Sequence, residues 1–346
     1  MHPHGPRQGT TRLTKRPSRS GDDRTQTWPA PTDGEVAALD ALGKAGEWAL
    51  GAETIKLTNL DKVLFPGRDG GPDITKRDLV RYHAEVAPHL LPYLADRPVN
   101  QHRFPDGVEH QGFWNKALPK NAPAWVARWH NETAGAGETE WYVVVERPAT
   151  LAFLANQAAL ELHPWTSAVV DTHRPTWAYI DIDPGPRNDF ADVLTLARLY
   201  RTALDHLDVR AMPKVTGQRG VQIWVPVATG YSFDDTRDWV ERLSRAVGAI
   251  VPDLVSWAWR KGDRSGLARL DFTQNARNKT LVAPFSARPR AGAPVSVPIG
   301  WDELDDPGLR PDRWTVHTVL ERIREVGDPL RPLIGLQQEL PSLGTS

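Results

Sequence analysis

The segment Trp177-Ala-Tyr-Ile-Asp-Ile-Asp-Pro184 constrains the fold more than any other stretch of the chain. It reads as a strand, and side chains alternate along a strand. Ile180 and Ile182 then point to one face, into a core, while Asp181 and Asp183 point together to the other, at the strand's end. Two carboxylates so placed repel each other unless something cationic neutralises them. A divalent metal is a natural partner, since hard cations take oxygen ligands. For the pair alone an ordinary alternative stands beside it: one Asp caps the next turn and the other is solvated.

A third acid shifts that balance. Leu267-Ala-Arg-Leu-Asp-Phe272 is a second short apolar strand whose alternation puts Arg269 and Asp271 on one face. If it neighbours the first strand, Asp271 joins Asp181 and Asp183 from far along the chain. Three acids can hold two metals ~3.5–4 Å apart, an arrangement suited to phosphoryl transfer. One metal would activate a 3′-hydroxyl nucleophile, and the other would bind a triphosphate and its pyrophosphate leaving group.

Hydrophobic periodicity predicts an α+β chain. Helices are expected over 35–50, 73–91, 150–162, 190–207, 233–251 and 314–326. Strands are expected over 54–57, 141–145, 177–183, 266–272 and 280–284, with two extended pieces within 214–227. From 177 to 284 the order strand, helix, strand, strand, helix, strand approaches a split βαβ unit. The expected organisation is a disordered basic tail (1–33), a catalytic domain (34–335) and a C-terminal tail (336–346). Within the catalytic domain, 34–170 form an N-terminal α/β part and 171–335 the metal-binding part.

Composition narrows the partners. With 42 basic and 43 acidic residues, bulk charge predicts no polyanion partner, so any nucleic-acid surface is local. There is no cysteine, which excludes disulfides, thiolate nucleophiles and CxxC zinc sites. No apolar run approaches the ~18 residues of a membrane span. No signal core opens the chain. The expectation is a cytoplasmic protein without a membrane partner.

Candidate phosphate and base contacts lie around the acids. Lys214-Val-Thr-Gly-Gln-Arg-Gly-Val-Gln-Ile-Trp-Val-Pro226 is a strand, a Gly-containing turn and a second strand. Turn amides, the Thr216 hydroxyl and the Arg219 cation would suit a triphosphate. The Walker spacing is absent, and a plain hairpin is the alternative. Arg264, Arg269, Lys279 and Arg288 gather cations around the third acid. Nearer the front, Gln101-His-Arg-Phe-Pro-Asp-Gly107 and Phe113-Trp-Asn-Lys116 interleave aromatics with bases. Phe113 and Trp114 suit either base stacking or core packing.

Taken in order, these motifs resemble the archaeo-eukaryotic primase superfamily, specifically the polymerase domain of bacterial ATP-dependent DNA ligase D and its stand-alone relatives. The resemblance covers about residues 52–335. It rests on Leu57-Thr-Asn-Leu-Asp-Lys-Val-Leu-Phe-Pro66, Arg97-Pro98, Arg103-Phe-Pro-Asp-Gly107, Phe113-Trp-Asn-Lys116 and Glu161-Leu-His-Pro-Trp165. Further on it rests on Asp181-Ile-Asp-Pro184, the hairpin from Thr216 to Pro226, and Asp271-Phe-Thr-Gln-Asn275 through Ser286-Ala-Arg288. It implies a primase-polymerase fold, with an RRM-like antiparallel catalytic sheet packed against a second α/β unit. It also implies template-directed addition of nucleotides from a nucleoside triphosphate, with two divalent cations (Mn²⁺ or Mg²⁺) and a preference for ribonucleotides.

Carried over by position, Asp181, Asp183 and Asp271 would be the catalytic metal triad. His163, Thr216, Gly217, Arg219, Gln222, Lys279 and Arg288 would contact the nucleotide, and Phe113 and Trp114 would stack its base. Asn59, Lys62 and Lys76 would form the pocket for a 5′-phosphate, with Arg103 and Arg264 contacting DNA. Gln222 stands where the family often has His, and His102 where another base is common.

The resemblance leads to a repair polymerase of non-homologous end joining or gap filling. It would act on gapped or broken DNA beside Ku and an ATP-dependent DNA ligase, in the nucleoid-associated cytoplasm. The alternatives are a primer-synthesising primase and a catalytically silent module that binds and bridges DNA ends. No ligase or histidine-rich phosphoesterase segment is evident, so joining and 3′-end trimming are expected of other proteins.

Overall fold

Capped helices alternate with short antiparallel strands in the computed structural model, which describes residues 27–258, 260, 263 and 265–344. Helix α1 (Asp33–Ala41) starts where the Thr32 hydroxyl accepts from the Glu35 amide and Glu35 caps the Thr32 amide in return. A hairpin of β1 (Gly46–Leu50) and β2 (Glu53–Leu57) follows. The helix expected over 35–50 therefore ends at Ala41. Trp48 and Leu50 alternate with exposed neighbours at a strand's period, and Gly51, at φ 60°, turns the hairpin instead of stopping a helix.

Strands β3 (Val63–Phe65) and β4 (Ile74–Thr75) pair ahead of α2 (Lys76–Glu85) and α3 (Ala87–Leu94). The single helix expected over 73–91 is thus two, parted at Val86, with Thr75 as the cap of the first. Next come β5 (Pro98–Arg103), β6 (Phe113–Asn115), β7 (Arg128–His130), β8 (Trp141–Val144), α4 (Pro148–Asn156) and β9 (Ala159–Pro164). The strands form one sheet in the order β6-β5-β8-β7, with β9 also paired to β5. The helix expected over 150–162 stops at Asn156, because Ala158 takes φ 55° and the chain re-enters as β9. That strand is buried on both faces, so its apolar run hides the period of two and reads like a buried helix.

After a small hairpin of β10 (Ser167–Ala168) and β11 (Asp171–Pro175) come the elements of the second sheet. They are β12 (Trp177–Asp183), α5 (Phe190–His206), β13 (Met212–Val215), β14 (Val221–Pro226), α6 (Phe233–Ile250), β15 (Arg269–Asp271) and β16 (Val297–Pro298). Their spatial order is β15-β12-β14-β13-β16, all antiparallel. Fourth, first, third and second strands of a βαββαβ unit in that order make an RRM-like sheet. Helices α5 and α6 are started by capping boxes at Asp189 and Ser232. They bury stripes that include Val193, Leu196 and Tyr200 on one and Trp239, Leu243 and Val247 on the other.

The strand expected over 266–272 is confined to β15. That expected over 280–284 is absent: Thr280 makes only an isolated bridge to Trp165, and Pro284 brings no N–H. The helix expected over 314–326 begins later, as α7 (Val319–Val326), after a turn in which the Thr318 hydroxyl accepts from the Thr315 amide. One apolar core runs through both sheets. The sheets are also stitched by polar contacts: the Leu162 amide donates to Ser286 Oγ at 2.9 Å, and the Tyr82 hydroxyl to the Phe285 carbonyl at 2.6 Å. At the ends, the Trp28 indole donates to the Glu146 carbonyl, and Gln338 bonds the Arg210 and Pro226 carbonyls. No helix among the described residues is long and apolar enough to cross a membrane.

Candidate active site

Register decides the acid cluster. In the antiparallel pairing of β12 with β15, Asp181 lies directly opposite Asp271, and Asp183 opposite Arg269. Directly opposed residues put their side chains on the same face. On the other side of β12, Asp181 is opposite Gln222, whose Nε2 donates to Asp181 Oδ1 at 3.1 Å. Ile180 and Ile182 are fully buried beneath. Burial above all, with the charges of Asp183 and Asp271 added, pushes the Asp181 carboxyl up to about 7, against the Gln222 hydrogen bond. The three acids nevertheless do not close into a ready-made ligand group among the described residues. Asp271 is turned onto the Thr273 amide and hydroxyl, Gln274 and, at 3.1 Å, Arg269. Asp183 is paired with Arg219 at 3.2 Å.

The β13–β14 turn stands beside them. Thr216 Oγ accepts from the Gly220 amide at 3.1 Å, closing the turn. Gly217 takes φ 72° there, and a Cβ would lie 2.9 Å from the Val295 carbonyl oxygen, so only glycine fits without displacing backbone. Arg288 Nη1 donates to the Thr216 carbonyl at 2.5 Å, and its Nε to Glu161. Lys214 is wholly buried, with its ammonium on Ser296 Oγ at 2.7 Å, and burial first and Arg288 second push its pKa well down.

On the first sheet, Phe113 and Trp114 remain 47% and 50% exposed, which is unusual for large aromatics and suits contact with a ligand. Trp114 lies flat on the His102 ring, centroids 4.5 Å apart and planes within 6°, and meets the His163 ring edge-on at 4.8 Å. Phe113 has the Arg103 guanidinium 5.4 Å from its ring centre.

A separate cavity of about 340 Å³ is lined by Asn59, Lys62, Lys76, Arg103, Asn121 and Gln157, among others. Lys76, at the start of α2, is buried and donates to the Asn156 carbonyl at 3.0 Å. Arg103 Nε donates to the Gln157 carbonyl at 2.8 Å. Lys62 pairs with the exposed Asp106 at 2.7 Å. Burial, then the charges of Lys62 and Arg103, lowers the pKa of Lys76. Such a concave cluster of cations and amides has the chemistry that suits an anion.

The family described as LigD, primase-polymerase domain, matches residues 75–330. This chain belongs to that family. The LigD polymerase domain of Mycobacterium tuberculosis, solved in complex with DNA, superposes with a TM-score of 0.73 at 32% identity, covering 83% of this chain and 99% of that one. The multifunctional non-homologous end joining protein LigD of Mycolicibacterium smegmatis is 34% identical over 283 residues, 81% of this chain and 36% of its own length. The bifunctional LigD of Bacillus subtilis is 31% identical over 277 residues, 80% of this chain and 43% of its own. The chain thus spans 36% and 43% of the length of those two relatives.

LigD polymerase domains belong to a class of metal-dependent nucleotidyl transfer, and the donor set here suits hard divalent cations: three carboxylates on one face, one of them pushed up mainly by its burial. Of the residues expected at the site, the structure brings Asn59, Lys62, Lys76 and Arg103 around one cavity. Thr216, Gly217, Arg288 and, through Glu161, His163 are linked in another group. Lys279 stands exposed on a turn, and no described contact joins its ammonium to the acids. Arg264 lies outside the described residues. Sequence reading did not single out Asn121, Asn156 and Gln157 of the cation cavity or Glu161. The glutamate's motif was noted, but its burial between sheets has no local signal.

Proposed function

We propose that this chain is a template-directed nucleotidyltransferase. It adds ribo- or deoxyribonucleotides to DNA 3′ ends at short 5′-phosphorylated gaps or double-strand breaks. The observation that carries this reading is the register of Asp181 opposite Asp271, with Asp183 on the same face. Membership of the LigD family and the likeness to a polymerase domain solved with DNA support it.

Asp181, Asp183 and Asp271 would hold the divalent cations, Mn²⁺ or Mg²⁺, which when bound supply Lewis acidity to the 3′-hydroxyl and the triphosphate. The exposed Arg219 beside Asp183 is placed to neutralise phosphate charge. The Thr216–Gly220 turn and Arg288 frame the rest of the triphosphate, with His163 at its edge. Trp114 and Phe113 offer ring faces to the base and its template neighbour. Lys62, Lys76 and Arg103 grip the 5′-phosphate across the gap and so fix the duplex relative to the acids. Ku and an ATP-dependent DNA ligase are the partners such an activity calls for, in the cytoplasm beside the nucleoid.

The test is incorporation with Mn²⁺ on a duplex carrying a short gap, with and without the 5′-phosphate. Addition that is stronger on the phosphorylated gap supports the reading. Binding without addition leaves only an end-binding module, and products from template without any primer make the protein a primase.

A further inference from the structure

Glu161 lies in β9, 3% exposed, and the functional reading above gives its carboxylate no role of its own. A buried carboxylate persists only when paired and hydrogen-bonded, and this one is divided between two partners. Its Oε2 accepts from His102 Nδ1 at 2.7 Å, and its Oε1 accepts from Arg288 Nε. The two partners lead in different directions. His102 is the flat support under Trp114, on the first sheet. Arg288 holds the Thr216 carbonyl at the turn of the second sheet. His163, which meets Trp114 edge-on, has Nε2 3.8 Å from the same Glu161 oxygen.

We infer that Glu161 is a positioning residue that locks the base platform and the triphosphate turn into one geometry. The inference rests on the nucleotide-adding reading above. A nucleotide has a rigid span between base and phosphates, so two half-sites on separate sheets bind it well only if their separation is held before binding. Glu161 is the one side chain among the described contacts hydrogen-bonded both to the support of Trp114 and to the anchor of the turn. Burial alone would raise its pKa, but His102, His163 and Arg288 together hold the carboxyl well below its usual range, so it is an anion throughout the working pH. A carboxylate can accept from both donors at once, whereas an amide in its place keeps one acceptor and presents a donor to the other.

The test is Glu161→Gln, which keeps shape and volume. On a gapped duplex with Mn²⁺, the expected outcome is a KM for the incoming nucleotide raised about tenfold or more, the range for losing a charge-assisted hydrogen bond. The turnover number at saturating nucleotide should stay within about threefold, and affinity for the 5′-phosphorylated gap should be unchanged. Glu161→Gln combined with Trp114→Ala should raise KM little beyond Trp114→Ala alone, because the two act along one path. An unchanged KM overturns the inference. So does a parallel loss of KM, turnover, DNA affinity and thermal stability, which is the mark of a merely structural ion pair. His102→Phe keeps a ring under Trp114 but removes the link to Glu161, and it decides the matter if Glu161→Gln fails to fold: a raised KM supports the lock, and a normal KM refutes it. Wild-type protein that adds no nucleotide would sink the functional reading and this inference with it, whereas an active wild type with indifferent variants sinks the role of Glu161 alone.

Discussion

At the end of β12 three carboxylates share a face with Gln222, Arg219 and Arg269 leaning on them. Around the cavity beside α2 and α4, three cations share a space in which the described acid partner is the exposed Asp106. Both are clusters of like charge, and in each the most buried member is shifted toward its neutral form, by burial first and by its like-charged neighbours after that. Asp181 is pushed up to about 7, and Lys76 is pushed down. The acids come from strands far apart in sequence and meet only through sheet register. The cations come from a turn, a helix start and a strand end. The acid cluster brings its own arginines, which hold Asp183 and Asp271 until something else competes for them. The cation cavity is left mostly to backbone carbonyls and amides.

The hardest blow to this contrast is Asp181→Ala. Nucleotide addition should fall by at least ~10³-fold, the scale for removing a main charge-stabilising group, while binding to a 5′-phosphorylated gap persists in a gel-shift assay. A variant that extends primers at near-normal rates would remove the acids from the chemistry. Next in size, Lys62→Ala should abolish the preference for a phosphorylated over an unphosphorylated gap, roughly a 10–100-fold change, as for a hydrogen bond to a charged group. Equal loss on both substrates would mean that the cavity has no particular affinity for phosphate.

The smallest effect concerns stability without metal. The native Asp181 carboxyl titrates near 7, against ~3.9 for an unfolded Asp. The folded state therefore binds an extra proton between those values, and its stability falls as pH rises through that window, by on the order of 1 kcal/mol per pH unit. Urea melts at pH 5 and pH 7 should show this loss, and Asp181→Asn should flatten it. An identical slope in the variant would place the titration elsewhere, for instance at Asp328, which burial pushes up to about 6.

Much of the second sheet was legible in the chain. The alternation of β12 and the capping residues Asp189 and Ser232 are local signals, and the structure places α5, β13, β14 and α6 within a residue or two of their expected bounds. The shared face of Asp181 and Asp183 follows from a period of two, and the pairing with Asp271 is what the sheet order supplies. Misreadings fall where period fails. In β9, burial on both faces erases alternation, and in β1 the spacing of Leu42 and Trp48 mimics a helix although a hairpin wins by pairing with β2. At the site, Lys62 and Lys76 were within reach of motif reading. The contribution of Gln157 and Asn156 was not, because it depends on where the end of α4 meets the other elements. The arginine and threonine partners that hold Asp183 and Asp271 are likewise encoded by no spacing along the strands.

A feature of β5 bears on how such a protein could be altered. His102 underlies Trp114 and bonds Glu161, while its neighbour Arg103 lines the phosphate cavity and faces Phe113, with a bulge in the pairing to β9 between them. Consecutive Cα atoms are only ~3.8 Å apart, so no hinge or insertable loop separates the two pockets at this point. A substitution that shifts the backbone of β5 at this point would therefore move both pockets together.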